Sequence, residues 1–266
     1  MKTRIIGAII VIAIFLPFLF VGELPFAVLM SVLSALGLHE LLKVRESKKQ
    51  FPFVLKLFAY LLVMAFCLYN FNSIEFQYSF NYRVMALLIF LFMLPMVFIN
   101  DTKKYNLNDA LFLIGSILFI GLSFNLIIII RNYNISYIIY LLLITTITDT
   151  FALFTGLLVG EHKLCPKISP KKTIEGLVGG VAMGTFTSVC FYHTVVSTTT
   201  PLLTVIVISF LLSVMGQLGD LVFSSIKRYY DVKDFSELIP GHGGILDRFD
   251  SLIFVTLMFI ILVEYL

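Results

Sequence analysis

Charge is what this 266-residue chain has least of. Asp, Glu, Lys and Arg together make up 13% of it, and apolar residues make up 59%. An ordinary soluble domain carries roughly 25% charge and about 45–50% apolar residues. A chain this poor in charge cannot cover a globular surface with polar groups, which excludes a soluble enzyme and a disordered tail alike. Cysteine is scarce too. Cys67, Cys165 and Cys190 stand far apart, with neither metal-ligand nor redox spacing. That excludes a disulfide scaffold, and the two cysteines inside apolar runs read as inert packing. The net charge is only +3 and there is no basic tail, so nothing suggests nucleic acid. What remains is an all-α, polytopic integral membrane protein.

A bilayer core about 30 Å thick needs roughly 20 apolar residues per helix. Runs of that order occupy 5–22, 24–42, 53–71, 84–99, 110–130, 135–158, 176–196, 202–224 and 249–266, which predicts about nine transmembrane helices. The last run is the shortest, and its helix can begin as early as Ile245. The first follows Lys2 and Arg4, as a signal peptide would, but no small-residue cleavage site precedes the second run. It reads as a retained helix. With nine spans, every Lys and Arg except Arg83 and Arg131 falls on the N-terminal side of the membrane. Basic residues collect on the cytoplasmic side, so the N-terminus is expected there and the C-terminus outside.

The two halves differ in character. Residues 1–134 are dominated by Leu, Ile, Phe and Val, with no ionisable group deep in a span, and read as an N-terminal scaffold of about five helices. Residues 135–266, about four helices and two polar cytoplasmic loops, read as the catalytic region. Thr145, Asp149, Ala152, Gly156 and Gly160 recur at three- and four-residue steps, as do Gly176, Gly180, Gly184 and Ser188, and then Ser213, Gln217, Asp220 and Ser224. Small residues so spaced let helices approach closely in lipid. The glycine stripe suits plain packing within the chain or a homodimer. A carboxylate within a span costs ~2.5–3.5 kcal/mol on insertion scales, so Asp149 and Asp220 read as a functional site, with a structural anchor as the other reading of Asp149.

Two loops carry the reactive residue types. In the first, Lys163, Lys167, Lys171 and Lys172 accompany Ser169 and Thr173 just before a helix start. Point charges, hydroxyl donors and a helix N-terminus suit phosphate oxygens; a basic patch touching anionic lipid has the same composition. In the second, Asp247 and Asp250 are three apart at the start of the last span and face the same way. Gly243 and Gly244 make a tight approach to that turn with exposed amides, and His242 is either part of the site or a satisfied turn histidine. Asp220, Asp247 and Asp250 are expected to meet at the inner membrane surface. Carboxylates beside phosphate-binding cations suit Mg²⁺, which keeps waters and takes substrate phosphates.

The stretch 224–250 contains Ser224-x-x-Lys227-Arg228, then Lys233-Asp234, Pro240-Gly-His242-Gly243-Gly244 and Asp247-Arg248-x-Asp250. In that order these residues resemble the signature of the phosphatidate cytidylyltransferase family, also called CDP-diacylglycerol synthases. Ser169-Pro-Lys-Lys-Thr-Ile-Glu-Gly and Asp149-x-x-Ala152 resemble the family as well. The specific likeness covers about 145–255. Many members carry Glu where this chain has Phe223, so the role of that Glu is not assigned here.

The resemblance implies a nucleotidyltransferase that joins CTP and phosphatidic acid into CDP-diacylglycerol and diphosphate, for phospholipid biosynthesis in the cell membrane, with its site at the cytoplasmic face. The nucleophile is an anionic lipid phosphate, so no Ser, Cys or His nucleophile is needed, and none stands out. The implied roles are Asp220, Asp247 and Asp250 as ligands of Mg²⁺, with a second metal ion left open. Ser169, Lys171, Lys172 and Thr173 would hold the CTP phosphates, with Glu175 orienting the lysines. Lys227 and Arg228 would hold the lipid phosphate or the triphosphate, and His242, Gly243, Gly244 and Arg248 would complete the phosphate contacts. A CTP-dependent lipid kinase of the polyprenol type and an ion-coupled transporter using Asp149 and Asp220 are the competing readings. The first lacks this full signature, and the second lacks the paired halves that transporters show.

Overall fold

The structure is a computed structural model that describes residues 13–69, 71, 82–239, 241 and 243–266. It is almost wholly helical, and the chain divides into two compact units. One consists of Met1–Tyr133 with Phe235–Ile245, and the other of Asn134–Asp234 with Leu246–Leu266.

In the first unit, α1 covers residues 13–21. It is followed by α2 (Glu23–Glu46), α3 (Phe53–Tyr69), α4 (Tyr82–Met93), α5 (Pro95–Ile99) and α6 (Leu107–Tyr133). Much of the first expected span, with Lys2 and Arg4, lies outside the described residues. Gly22 separates α1 from α2 with φ 71°, a conformation open to glycine. The end of α1 leaves carbonyls without helical partners, and Arg131, from the far end of α6, donates Nε to Leu19 O and Nη2 to Phe20 O, both at 2.9 Å. Pro95 has no N–H to give, and it starts α5 where its own ring ends α4.

Among the described residues of this unit, two acids are buried, which its apolar monotony conceals. Asp109 is met by Arg45 at 2.9 Å and by Lys49. Glu40 is 2% exposed.

The second unit holds α7 (Ile135–Val159), strands β1 (Lys163–Cys165) and β2 (Ser169–Thr173), α8 (Ile174–Phe191), α9 (Leu202–Tyr229) and α10 (Leu246–Leu262). Asn134 caps α7 by accepting from Ser136 N at 2.8 Å. The region expected to be a polar loop is a two-stranded antiparallel hairpin, pairing Lys163 with Thr173 and Cys165 with Ser169. α9 runs past the expected end at 224, so Lys227 and Arg228 stand on its last turn. Six helices, among the described residues, are long and apolar enough to cross a membrane: Glu23–Glu46, Tyr82–Ile99, Leu107–Tyr133, Ile135–Val159, Ile174–Val196 and Leu202–Tyr229. The chain is a multi-pass membrane protein.

Glycine sets how closely the second unit packs. A Cβ on Gly176 would lie 2.7 Å from Ala152 O, and one on Gly180 would lie 2.5 Å from Thr148 O. The α7 and α8 stripes read from the sequence therefore face each other within one chain. Gly219 does the same for α9 and α10, where a Cβ would come within 2.7 Å of Phe254 Cβ. Phe223, 0% exposed, stacks edge-on against the same Phe254 at 6.3 Å.

Gly180→Ala should lower the unfolding free energy in detergent by ~1–3 kcal/mol, since a methyl must push two backbones apart. Gly115→Ala on α6 would meet nothing within 4 Å. It should be neutral or stabilising by up to about 1 kcal/mol. Equal effects at both positions would contradict the packing described.

Candidate active site

Four elements of the second unit bring polar side chains together. β2 supplies Lys172, α7 supplies Asp149, α9 supplies Gln217, Asp220, Ser224 and Lys227, and α10 supplies Asp247, Asp250 and Ser251. Side chains on a helix meet their neighbours at three- and four-residue steps, so Gln217, Asp220, Ser224 and Lys227 form one stripe along α9.

Lys172 anchors the network. Its Nζ lies 2.7 Å from Asp220 Oδ2 and donates to Gln217 O at 3.3 Å. Ser224 Oγ donates to the other Asp220 oxygen at 3.2 Å. The Gln217 side chain continues the network by donating Nε2 to Asp149 Oδ1 at 2.8 Å, and Ser251 Oγ reaches Asp149 Oδ2 at 3.5 Å. Asp149 is thereby tied to α9 and α10. Further along, Lys227 Nζ lies 2.7 Å from Asp247 Oδ1, with side chains 10% and 5% exposed. Asp250 accepts from Ser251 N at 2.7 Å and lies within electrostatic reach of Asp220, Asp149 and Lys227.

Several expected residues have other employment. Successive side chains on a strand face opposite sides, so Lys171 is exposed while Lys172 turns to α9. Ser169 begins β2, half-buried. Thr173 is buried, and its Oγ1 accepts from Gly176 N at 3.1 Å as the N-cap of α8. Glu175 does not orient the lysines through any bond seen here. It accepts from the backbone of Glu161 and His162 at 3.2 Å and pairs with His162 Nδ1 at 2.6 Å, which closes the base of the hairpin. Arg228 is exposed and donates Nε to Ile168 O at 3.3 Å and Nη1 to Val232 O at 3.1 Å, bracing the hairpin turn. Arg248 is exposed on α10. Among the described residues, no three His, Cys, Asp or Glu side chains stand together as a ready metal site. Asp250 is within electrostatic reach of Asp220, while Asp247 turns to Lys227.

Gly243 and Gly244 belong to the first unit's segment Phe235–Ile245. Gly243 has φ 82°, and its carbonyl accepts from Ile239 N at 2.9 Å. Two residues on, Ile245 N donates to Glu40 Oε1 at 2.8 Å. His242 lies outside the described residues. Ser251 and Glu40 escaped the sequence reading. Ser251 is one residue past the Asp250 signature position, on the helix face that turns to Asp149, and Glu40 has no motif around it.

The model of the cytidylyltransferase family matches residues 2–266. The chain belongs to the cytidylyltransferase family. It is 37% identical over 264 residues to the phosphatidate cytidylyltransferase of Bacillus subtilis (strain 168), covering 96% of this chain and 94% of that protein. It is 34% identical over 256 residues to the phosphatidate cytidylyltransferases of Staphylococcus haemolyticus (strain JCSC1435) and Staphylococcus aureus (strain COL), covering 96% of each chain. The likeness to the family spans both units. In this cytidylyltransferase the polar network is made of lysine–carboxylate pairs crossing from one element to another, an arrangement able to present cations to a polyanion.

Lys227→Met should cost ~3–5 kcal/mol of stability, because it removes the cation that meets the buried Asp247 carboxylate. Adding Asp247→Asn should recover much of that loss. Denaturant unfolding in detergent measures both, and additive losses would mean that the pair carries no coupling.

Proposed function

We propose that this chain is a phosphatidate cytidylyltransferase, joining CTP to phosphatidate to form CDP-diacylglycerol and diphosphate at the cytoplasmic face of a bacterial cell membrane. One observation supports the reading above others: two lysines, Lys172 and Lys227, are held by carboxylates from other elements inside a membrane-embedded unit, in a chain that aligns along its length with proteins of that name. Residues 135–266 carry the chemistry, and residues 1–134 form the scaffold.

The reaction needs two polyanions side by side. An oxygen of the lipid phosphate attacks the α-phosphorus of CTP, and the bond from that phosphorus to the bridging oxygen breaks, releasing diphosphate. Negative charge builds on the transferring and leaving groups, so catalysis consists of positioning and electrostatic stabilisation. Lys172, with Ser169 and Lys171 on the same hairpin, holds CTP phosphates. Lys227, Arg228 and Arg248 hold the remaining phosphate oxygens. Arg228 offers the planar fork suited to two oxygens at once.

The donor set fits Mg²⁺ in kind. Asp220 and Asp250 would supply hard oxygen ligands, with Asp247 as a third, beside substrate phosphates and water. Bound there, the ion would neutralise phosphate charge and fix the triphosphate geometry.

Membranes carrying the protein, given CTP, phosphatidate and Mg²⁺, should form CDP-diacylglycerol and diphosphate, and chelation of divalent ions should stop turnover. Asp220→Asn in folded protein should cost at least about a hundredfold in kcat, the scale of one lost preorganised electrostatic group. Release of CDP with a phosphorylated lipid would instead make the protein a kinase. Near-full turnover of Asp220→Asn would remove the carboxylate from the mechanism.

A further inference from the structure

Glu40 is a buried carboxylate in a half of the chain that otherwise reads as scaffold. It lies near the end of α2, 2% exposed. A single oxygen, Oε1, accepts from Ser236 Oγ at 2.6 Å and from Ile245 N at 2.8 Å. Ser236 Oγ in turn accepts from Leu238 N at 3.2 Å. Ile239 and Gly243 bridge across the loop. One side chain therefore ties Ser236 to Ile245, with the Ile239–Gly243 bridge between them.

The second glycine of the pair fits the same arrangement. Gly243 needs its hydrogen side chain for φ 82°. Gly244 has an ordinary φ, yet a Cβ there would run into the Glu40 carboxylate, 2.5 Å from both Cδ and Oε2. Gly244 is thus glycine to leave room for Glu40. Burying a charge costs several kcal/mol unless donors meet it; an apolar residue would fill the space more cheaply, but could not hold a hydroxyl and an amide 9 residues apart in sequence.

We propose that Glu40 is a positioning residue for cytidylyl transfer. By gripping Ser236 and Ile245 it sets the backbone of the signature loop, and Asp247 and Arg248 follow that gripped amide directly in the chain. This inference rests on the function proposed above and adds to it a role for the N-terminal half.

Four variants of the full-length protein in detergent test it: Glu40→Ala, Glu40→Gln, Gly244→Ala and the double Glu40→Ala/Gly244→Ala. The readouts are kcat, KM for CTP, and amide hydrogen exchange across 236–245. Glu40→Ala and Gly244→Ala should each lower kcat by at least about tenfold, or ~1.4 kcal/mol of barrier, with a smaller change in KM and faster exchange. The double variant should be no worse than Glu40→Ala, because both changes remove the same contact. Glu40→Gln keeps an Oε1 acceptor and should keep most of the turnover. Unchanged kcat and exchange in Glu40→Ala, or losses that multiply in the double variant, would overturn the proposal. If Glu40→Ala does not fold, Gly244→Ala decides by the same readouts. A wild-type protein inactive on CTP and phosphatidate would sink the proposed function, while exchange would still report on the grip.

Discussion

The ion pair between Lys172 and Asp220 is the contact around which the second unit is organised. A carboxylate in a low-dielectric setting must be matched by a cation or by donors. That requirement propagates. Asp220 takes Lys172 and Ser224, Asp149 takes Gln217 and Ser251, and Asp247 takes Lys227. Each donor set reaches its acid from another helix or strand, or from one turn away. Such reach is possible only where helix axes come close, which is the purpose served by Gly176, Gly180 and Gly219. Backbone proximity and charge compensation are thus two sides of one constraint. Small residues bring the helices near enough for short polar side chains to meet.

The hairpin adds directionality. A loop could have turned all its lysines toward one place. A strand cannot, because its side chains alternate. Lys172 is committed to α9, and Lys171 is left on the outer surface. Thr173 and Glu175 hold the hairpin in place, one as the cap of α8 and the other as the clasp at its base. Residue types that suit phosphate on composition alone are here divided between holding the frame and facing the polar network.

Six of the nine expected spans match long apolar helices, and they were legible because apolar run length is a direct physical requirement of the bilayer. The glycine stripes were legible because helical period is fixed at 3.6 residues. The signature residues Lys227, Asp247 and Asp250 could be picked out by order along the chain, but their partners could not. Whether Asp247 faces Asp220 or Lys227 depends on the rotation of α10 against α9, which approach closely where Gly219 meets Phe254. The hairpin was hidden because Lys163–Thr173 has too few apolar residues to show a period of two. Glu40 was hidden because its partners lie about 200 positions away, and no local pattern marks a buried acid near a helix end.

The resting pairs also constrain how such a site can work. Lys172 and Lys227 are already satisfied, so a phosphate group must compete with a carboxylate for each of them. Competition between two anions for one cation is nearly balanced in free energy when both partners stay hydrogen-bonded. It shifts toward the phosphate once the displaced carboxylate finds another positive charge. Pairing each lysine with a carboxylate lowers the cost of holding those charges in a membrane.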